Sequence, residues 1–195
     1  MPWYELTKVL HFLGLISFIG FFIILTRVGI ALRAAKTTRE VRTLATMLDG
    51  ARPMLPSGSA LLLVSGVIMT GMRWRAPYAF AIGGLATLLV ITPIAMIGIK
   101  RLLATIRAAI GEHDVGLNDA MRAAINTPSQ WGAVLACNTA AVGVFLSMTI
   151  KPPWPWVTGF IVVLATIGWF AGSRVARTAQ MPQAVTPKPN ADKRG

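Results

Sequence analysis

The sequence predicts an all-α membrane protein: a bundle of five transmembrane helices, with the N-terminus outside and the C-terminus cytoplasmic. Three observations predict it. The 195 residues are 54% hydrophobic and only 13% charged, about half the charged share of a soluble domain. The mean hydropathy is +0.62, and the apolar residues gather in uncharged runs instead of recurring at helical or strand period. Several runs approach the ~20 residues that cross a hydrocarbon core of about 30 Å. Finally, the 19 Lys and Arg residues stand mostly at the ends of those runs, where such residues set orientation.

The first span is expected over residues 4–32. Its apolar part, VLHFLGLISFIGFFIILTRVGIAL at 9–32, is longer than a signal-peptide core and ends in Arg27 and Arg33 instead of a small-residue cleavage site. It reads as uncleaved. Trp3 and Tyr4 before it suit an interfacial aromatic belt. Residues 33–55 form a basic connection in which Val41, Leu44 and Leu48 line one face of a short amphipathic helix. Pro53 and Pro56 end that helix and start the second span, 57–72.

The turn RWRAP leads to the third span, 78–99, which Pro93 should kink, with Thr92 or a neighbouring helix satisfying the freed carbonyl. KRLLATIRAAI should continue this helix beyond the span, followed by a turn and a short helix capped by Asn118 or Asp119. The fourth span, 131–150, and the fifth, 157–172, flank the rigid turn KPPWPW. Residues 1–175 thus make one helical domain. Residues 176–195, rich in proline and poor in apolar residues, are expected to be a disordered cytoplasmic tail.

Five spans place the termini on opposite sides. The two long connections and the tail together hold 14 of the 19 basic residues, and the other side holds Lys8, Arg73, Arg75 and Lys151. The positive-inside rule then puts the tail in the cytoplasm of a multi-pass membrane protein. The net charge of +12 therefore serves orientation. No basic stripe with interleaved aromatics marks a nucleic-acid partner; the expected surroundings are the lipid bilayer.

Few side chains suggest chemistry. His11 lies near the start of the first span, where an imidazole either ligates haem iron, copper or zinc or bonds a neighbouring carbonyl. Arg27 lies near its end. Sixteen residues at 100° each turn it almost away from His11 and about 24 Å along the axis, so the two form no common site. Arg27 either snorkels to the interface or pairs with a ligand's carboxylate or phosphate. Asn138 should make an interhelical hydrogen bond. Met69, Met72, Met96 and Met148 offer thioethers to copper(I) or simply pack.

Thr139, Gly143 and Ser147 on the fourth span, and Gly168 and Gly172 on the fifth, are spaced for close helix approach. That approach serves either the bundle interior or a homodimer or partner-subunit interface. Cys137 stands alone, and His113 falls on the other side of the expected bilayer from His11. No nucleophile elbow, phosphate-binding loop, HExxH or intramembrane carboxylate is present, and no catalytic residue is assigned.

LHFLGLISFIGFF in the first span and PSGSALLLVSGVIMTG in the second resemble the opening motifs of the copper-resistance CopD-like membrane proteins. FLSMTIKPPW is similar to the close of the fourth span in the family called domain of unknown function 2269. The resemblance covers about residues 8–155 and implies copper or haem handling in a bacterial inner membrane through His11. The first span, with His11 and Arg27, also looks like that of HemJ, which would imply a haem-dependent oxidoreductase. The third span lacks the basic residue of that pattern.

Overall fold

The computed structural model describes residues 2–73, 79–110, 117, 119–151, 153 and 156–180. Seven helices and no strands occur among them: α1 (Pro2–Ala34), α2 (Thr38–Ala51), α3 (Met54–Arg73), α4 (Ala79–Ala109), α5 (Asp119–Ile125), α6 (Pro128–Ile150) and α7 (Trp156–Gln180). Helices α1, α3, α4, α6 and α7 are each long and apolar enough to cross a bilayer. Their outward faces carry large apolar side chains, among them Ile16, Val67, Leu89 and Phe170, all more than half exposed.

A helix is present for each of the five expected spans, and most of these helices run further than the apolar runs. Helix α3 starts at Met54 rather than residue 57. Pro56 falls in its first turn, where a missing N–H leaves no bond unmade. Helix α6 starts at Pro128 rather than residue 131, with Pro at its first position. Helix α4 passes through Pro93 unbroken to Ala109, and the Thr92 hydroxyl pairs with Ser59 of α3 at 2.8 Å.

The largest departure is α7. It continues to Gln180, so residues 176–180, expected in the disordered tail, are helical. Tertiary partners hold this extension: Ala176 is fully buried, and Arg33 donates to the Val175 carbonyl at 2.9 Å. Residues 181–195, His113 and Asn118 lie outside the described residues. Asp119 sits in the first turn of α5.

The short polar helices close one end of the bundle. The amphipathic helix expected at 33–55 is α2. Thr37 accepts the Glu40 N–H, and the Glu40 carboxylate accepts the Lys36 N–H, a reciprocal cap on the first turn. Its apolar face, Val41, Ala45 and Leu48, is buried against the bundle. Asp49 ties its far end to Arg107 of α4 at 2.9 Å and to Arg52 at 3.1 Å. Arg33, at the end of α1, binds three places at once. Its guanidinium donates to Asn126 and to Val175, and it lies 4.9 Å from the Trp131 ring.

Two helix pairs dominate the packing, α1 with α3 and α6 with α7, and α4 lies between them. Both crossings depend on glycine. A Cβ on Gly14 would stand 2.9 Å from the Leu61 side chain, and one on Gly58 would stand 2.8 Å from the Phe18 backbone nitrogen. In the other pair, a Cβ on Gly168 would meet the Leu135 carbonyl at 2.5 Å and one on Gly172 the Trp131 carbonyl at 2.2 Å. Gly143 sits on the same seam against Ile161. The small-residue faces of the fourth and fifth spans are thus spent on each other within one chain.

Gly172→Ala should therefore lower stability by about 2 kcal/mol, the cost of overpacking a tight contact. Gly159 meets nothing within 4 Å, so Gly159→Ala should be neutral or stabilise by up to ~1 kcal/mol through helix propensity. Denaturant titration of the two purified variants in one detergent checks the pair.

Candidate functional site

The α1–α3 crossing positions His11. Three residues before Gly14, one helical turn, His11 lies on the face of α1 that meets α3. Ser65, seven residues after Gly58, lies on the matching face of α3. Their side chains meet with His11 Nδ1 at 2.9 Å from Ser65 Oγ. The Ser65 hydroxyl donates to the Leu61 carbonyl one turn back in its own helix. Its single proton is thereby used, so Oγ accepts and His11 Nδ1–H donates. In the neutral ring the lone pair is then on Nε2, the arrangement that suits a metal-ligating histidine with its second nitrogen held.

His11 borders a cavity of about 350 Å³ at the end of the bundle where α1 starts. Leu62 and Gly66 of α3, Leu85 and Leu88 of α4 and the last turn of α6 enclose it. Its walls are mainly apolar. The polar contributors besides His11 are Thr70, whose hydroxyl is turned to the Gly66 carbonyl, and Lys151 at the end of α6. Lys151 adopts a left-handed conformation, φ 53°, and its N–H closes the helix on the Ser147 carbonyl. Pro152 follows it and cannot extend the helical ladder.

Two methionines also line this cavity, Met69 from α3 and Met148 from α6. Sequence alone had no means of selecting these two among four methionines. Met72 is exposed, and Met96 packs against the core. Among the described residues no three of His, Cys, Asp or Glu gather in one place. The potential donor set at this cavity is therefore one imidazole and two thioethers, which are ligands for a soft ion.

The other expected residues lie apart from it. Arg27 is exposed on α1, and no hydrogen bond or ion pair reaches it among the described residues. Cys137 is a buried free thiol beside a small void between α1, α4 and α6. Asn138 corrects the expectation of an interhelical bond: its amide donates to Val134 of its own helix at 2.8 Å. This back-bond satisfies the donor locally without crossing the bundle. Gly143, Gly168 and Gly172 serve the α6–α7 seam. Arg33, which unites three elements, read in the sequence as one loop cation among several. Its sign was legible, but the distant acceptors Asn126 and Val175 were not.

No protein-family model, curated protein or solved structure matches the chain.

Proposed function

We propose that this protein is a multi-pass protein of a bacterial cytoplasmic membrane, with its N-terminus outside, that holds copper(I) in the cavity at the outer end of the bundle. One observation carries the copper reading: three helices bring His11, Met69 and Met148 to the same cavity. Thioether and imidazole ligands favour copper(I) over the harder divalent ions. Ser65 fixes the imidazole so that Nε2 is the ligating atom. The cavity is larger than one ion, and the surplus volume is apolar. No enzymatic step is assigned.

Apolar outward faces support the membrane reading. The basic residues support its orientation, since they concentrate at the end closed by α2 and α5. A haem reading would have the same imidazole and a cavity methionine hold the iron, a pair that haem iron accepts. The homodimer or partner-subunit reading loses the surface that suggested it, because the α6 and α7 glycine seam is occupied within the chain.

Titration of purified protein with copper(I) against a chromophoric chelator should show about one bound ion per chain. His11→Ala and Met148→Leu should each weaken binding at least ~10-fold, and Ser65→Ala by about 10-fold, the usual effect of losing the group that holds a ligand. Cys137→Ala should change nothing. No binding above the chelator control would overturn the copper reading, and a Soret band in the same samples would assign haem. For orientation, a C-terminal reporter active only outside the cytoplasm should stay silent. Activity there would reverse the topology.

A further inference from the structure

Arg27 poses a problem that the cavity does not solve. It is a permanent charge in the longest apolar run, exposed, and unpaired among the described residues. A charged side chain in a span normally faces the bundle interior or pairs. Arg27 does neither. It lies seven residues before the end of α1 at Ala34, about 10 Å along the axis at the helical rise.

Its neighbours on the same stripe are small. Ala31 and Ala34 stand four and seven residues on, within about 40° of Arg27 around the helix. They floor an open groove of about 490 Å³ between the end of α1 and the start of α2. Arg39, Glu40 and Thr43 of α2 form its other wall. Arg39 is exposed, and no partner reaches its guanidinium among the described residues. The Glu40 carboxylate, the one negative group there, accepts the Lys36 N–H at 2.8 Å. In the other direction the stripe is apolar: Ile23, one turn away, is 59% exposed and Ile16 is 67% exposed.

A groove walled by the unpaired Arg39, with the unpaired Arg27 one turn before Ala31 on its α1 floor and an exposed apolar stripe beyond, matches a molecule with an anionic head and a hydrocarbon tail. We infer that the α1–α2 elbow binds an anionic phospholipid. Its phosphate lies between Arg27 and Arg39, its head over Ala31 and Ala34, and an acyl chain along Ile23 and Ile16. Guanidinium is suited to this role because it presents paired donors to phosphate oxygens and is weakly hydrated. The occupant is a lipid rather than free phosphate, because Arg27 sits within the apolar run, where a soluble anion would leave water to reach it. This inference rests on the membrane reading and is independent of copper.

Native mass spectrometry of delipidated full-length protein tests it, with phosphatidylglycerol and phosphatidylcholine of matched chains added in turn. Wild type should retain phosphatidylglycerol preferentially. Arg27→Leu and Arg39→Leu should each reduce that retention about fivefold, the effect expected of one basic group against an anionic headgroup. Arg27→Lys should keep part of it, and Arg174→Leu, on α7, should keep all of it. Equal retention of the two lipids, or a preference unmoved by both Arg27→Leu and Arg39→Leu, would overturn the assignment. So would competition by millimolar inorganic phosphate, which would make the site one for a soluble anion. Carbonate-resistant recovery of the full-length protein in the membrane fraction tests the membrane reading separately, so its failure is distinguishable from failure of the lipid site.

Discussion

Close backbone approach at glycine is the constraint on which the rest of this bundle depends. On the proposed membrane reading, the helices gain little from hiding apolar surface from one another, because lipid tails are equally apolar. What holds them is dispersion over surfaces that fit and a few hydrogen bonds. Gly14 and Gly58 bring α1 onto α3, and Gly168 and Gly172 bring α7 onto α6. At each, a methyl group would collide with a neighbouring backbone or side chain. Helix α4 then fills the space between the two pairs, with the Ser59–Thr92 hydrogen bond fixing it to α3.

The candidate site follows from the first of these crossings. Gly14 and His11 are one turn apart on α1, and Gly58 and Ser65 are two turns apart on α3. Bringing the glycines together leaves His11 and Ser65 opposed, at hydrogen-bonding distance. The cavity opens at the same end, where α4 and the last turn of α6 complete its wall without filling it. Polar contacts at the other end have a different role. Arg33 and Asp49 fasten α2, the α5–α6 junction and the end of α7 to the bundle. The Asp49 ion pairs contribute little energy in water, but with the Arg33 hydrogen bonds they set how the short helices cap the long ones.

The five long helices were legible because a helix able to cross a bilayer must be apolar all along its length, and run length reports that directly. Helix ends were less legible. The apolar run marks where a helix would meet hydrocarbon, whereas the backbone stays helical as far as its tertiary partners reach. Ala176 and the Arg33–Val175 bond carry α7 past Gly172 in this way. His11 stood out as an imidazole in an apolar run. Ser65 did not, because a serine in SALLLVSG looks like any small packing residue until Gly58 is known to face α1. Met69 and Met148 were similarly indistinct. They are 79 residues apart in sequence, and only the arrangement of α3 and α6 directs both toward one cavity. Asn138 shows the opposite error, in which a polar residue within a span found its partner in its own helix.

The central claim is that the α1–α3 crossing presents His11 Nε2 to a soft ion alongside thioether sulfur. X-ray absorption at the copper edge tests this most directly, on wild-type protein loaded with copper(I). The account predicts a first shell that mixes nitrogen and sulfur, with the nitrogen component lost in His11→Ala. A shell of oxygen and nitrogen alone, or one unchanged by His11→Ala, would contradict it.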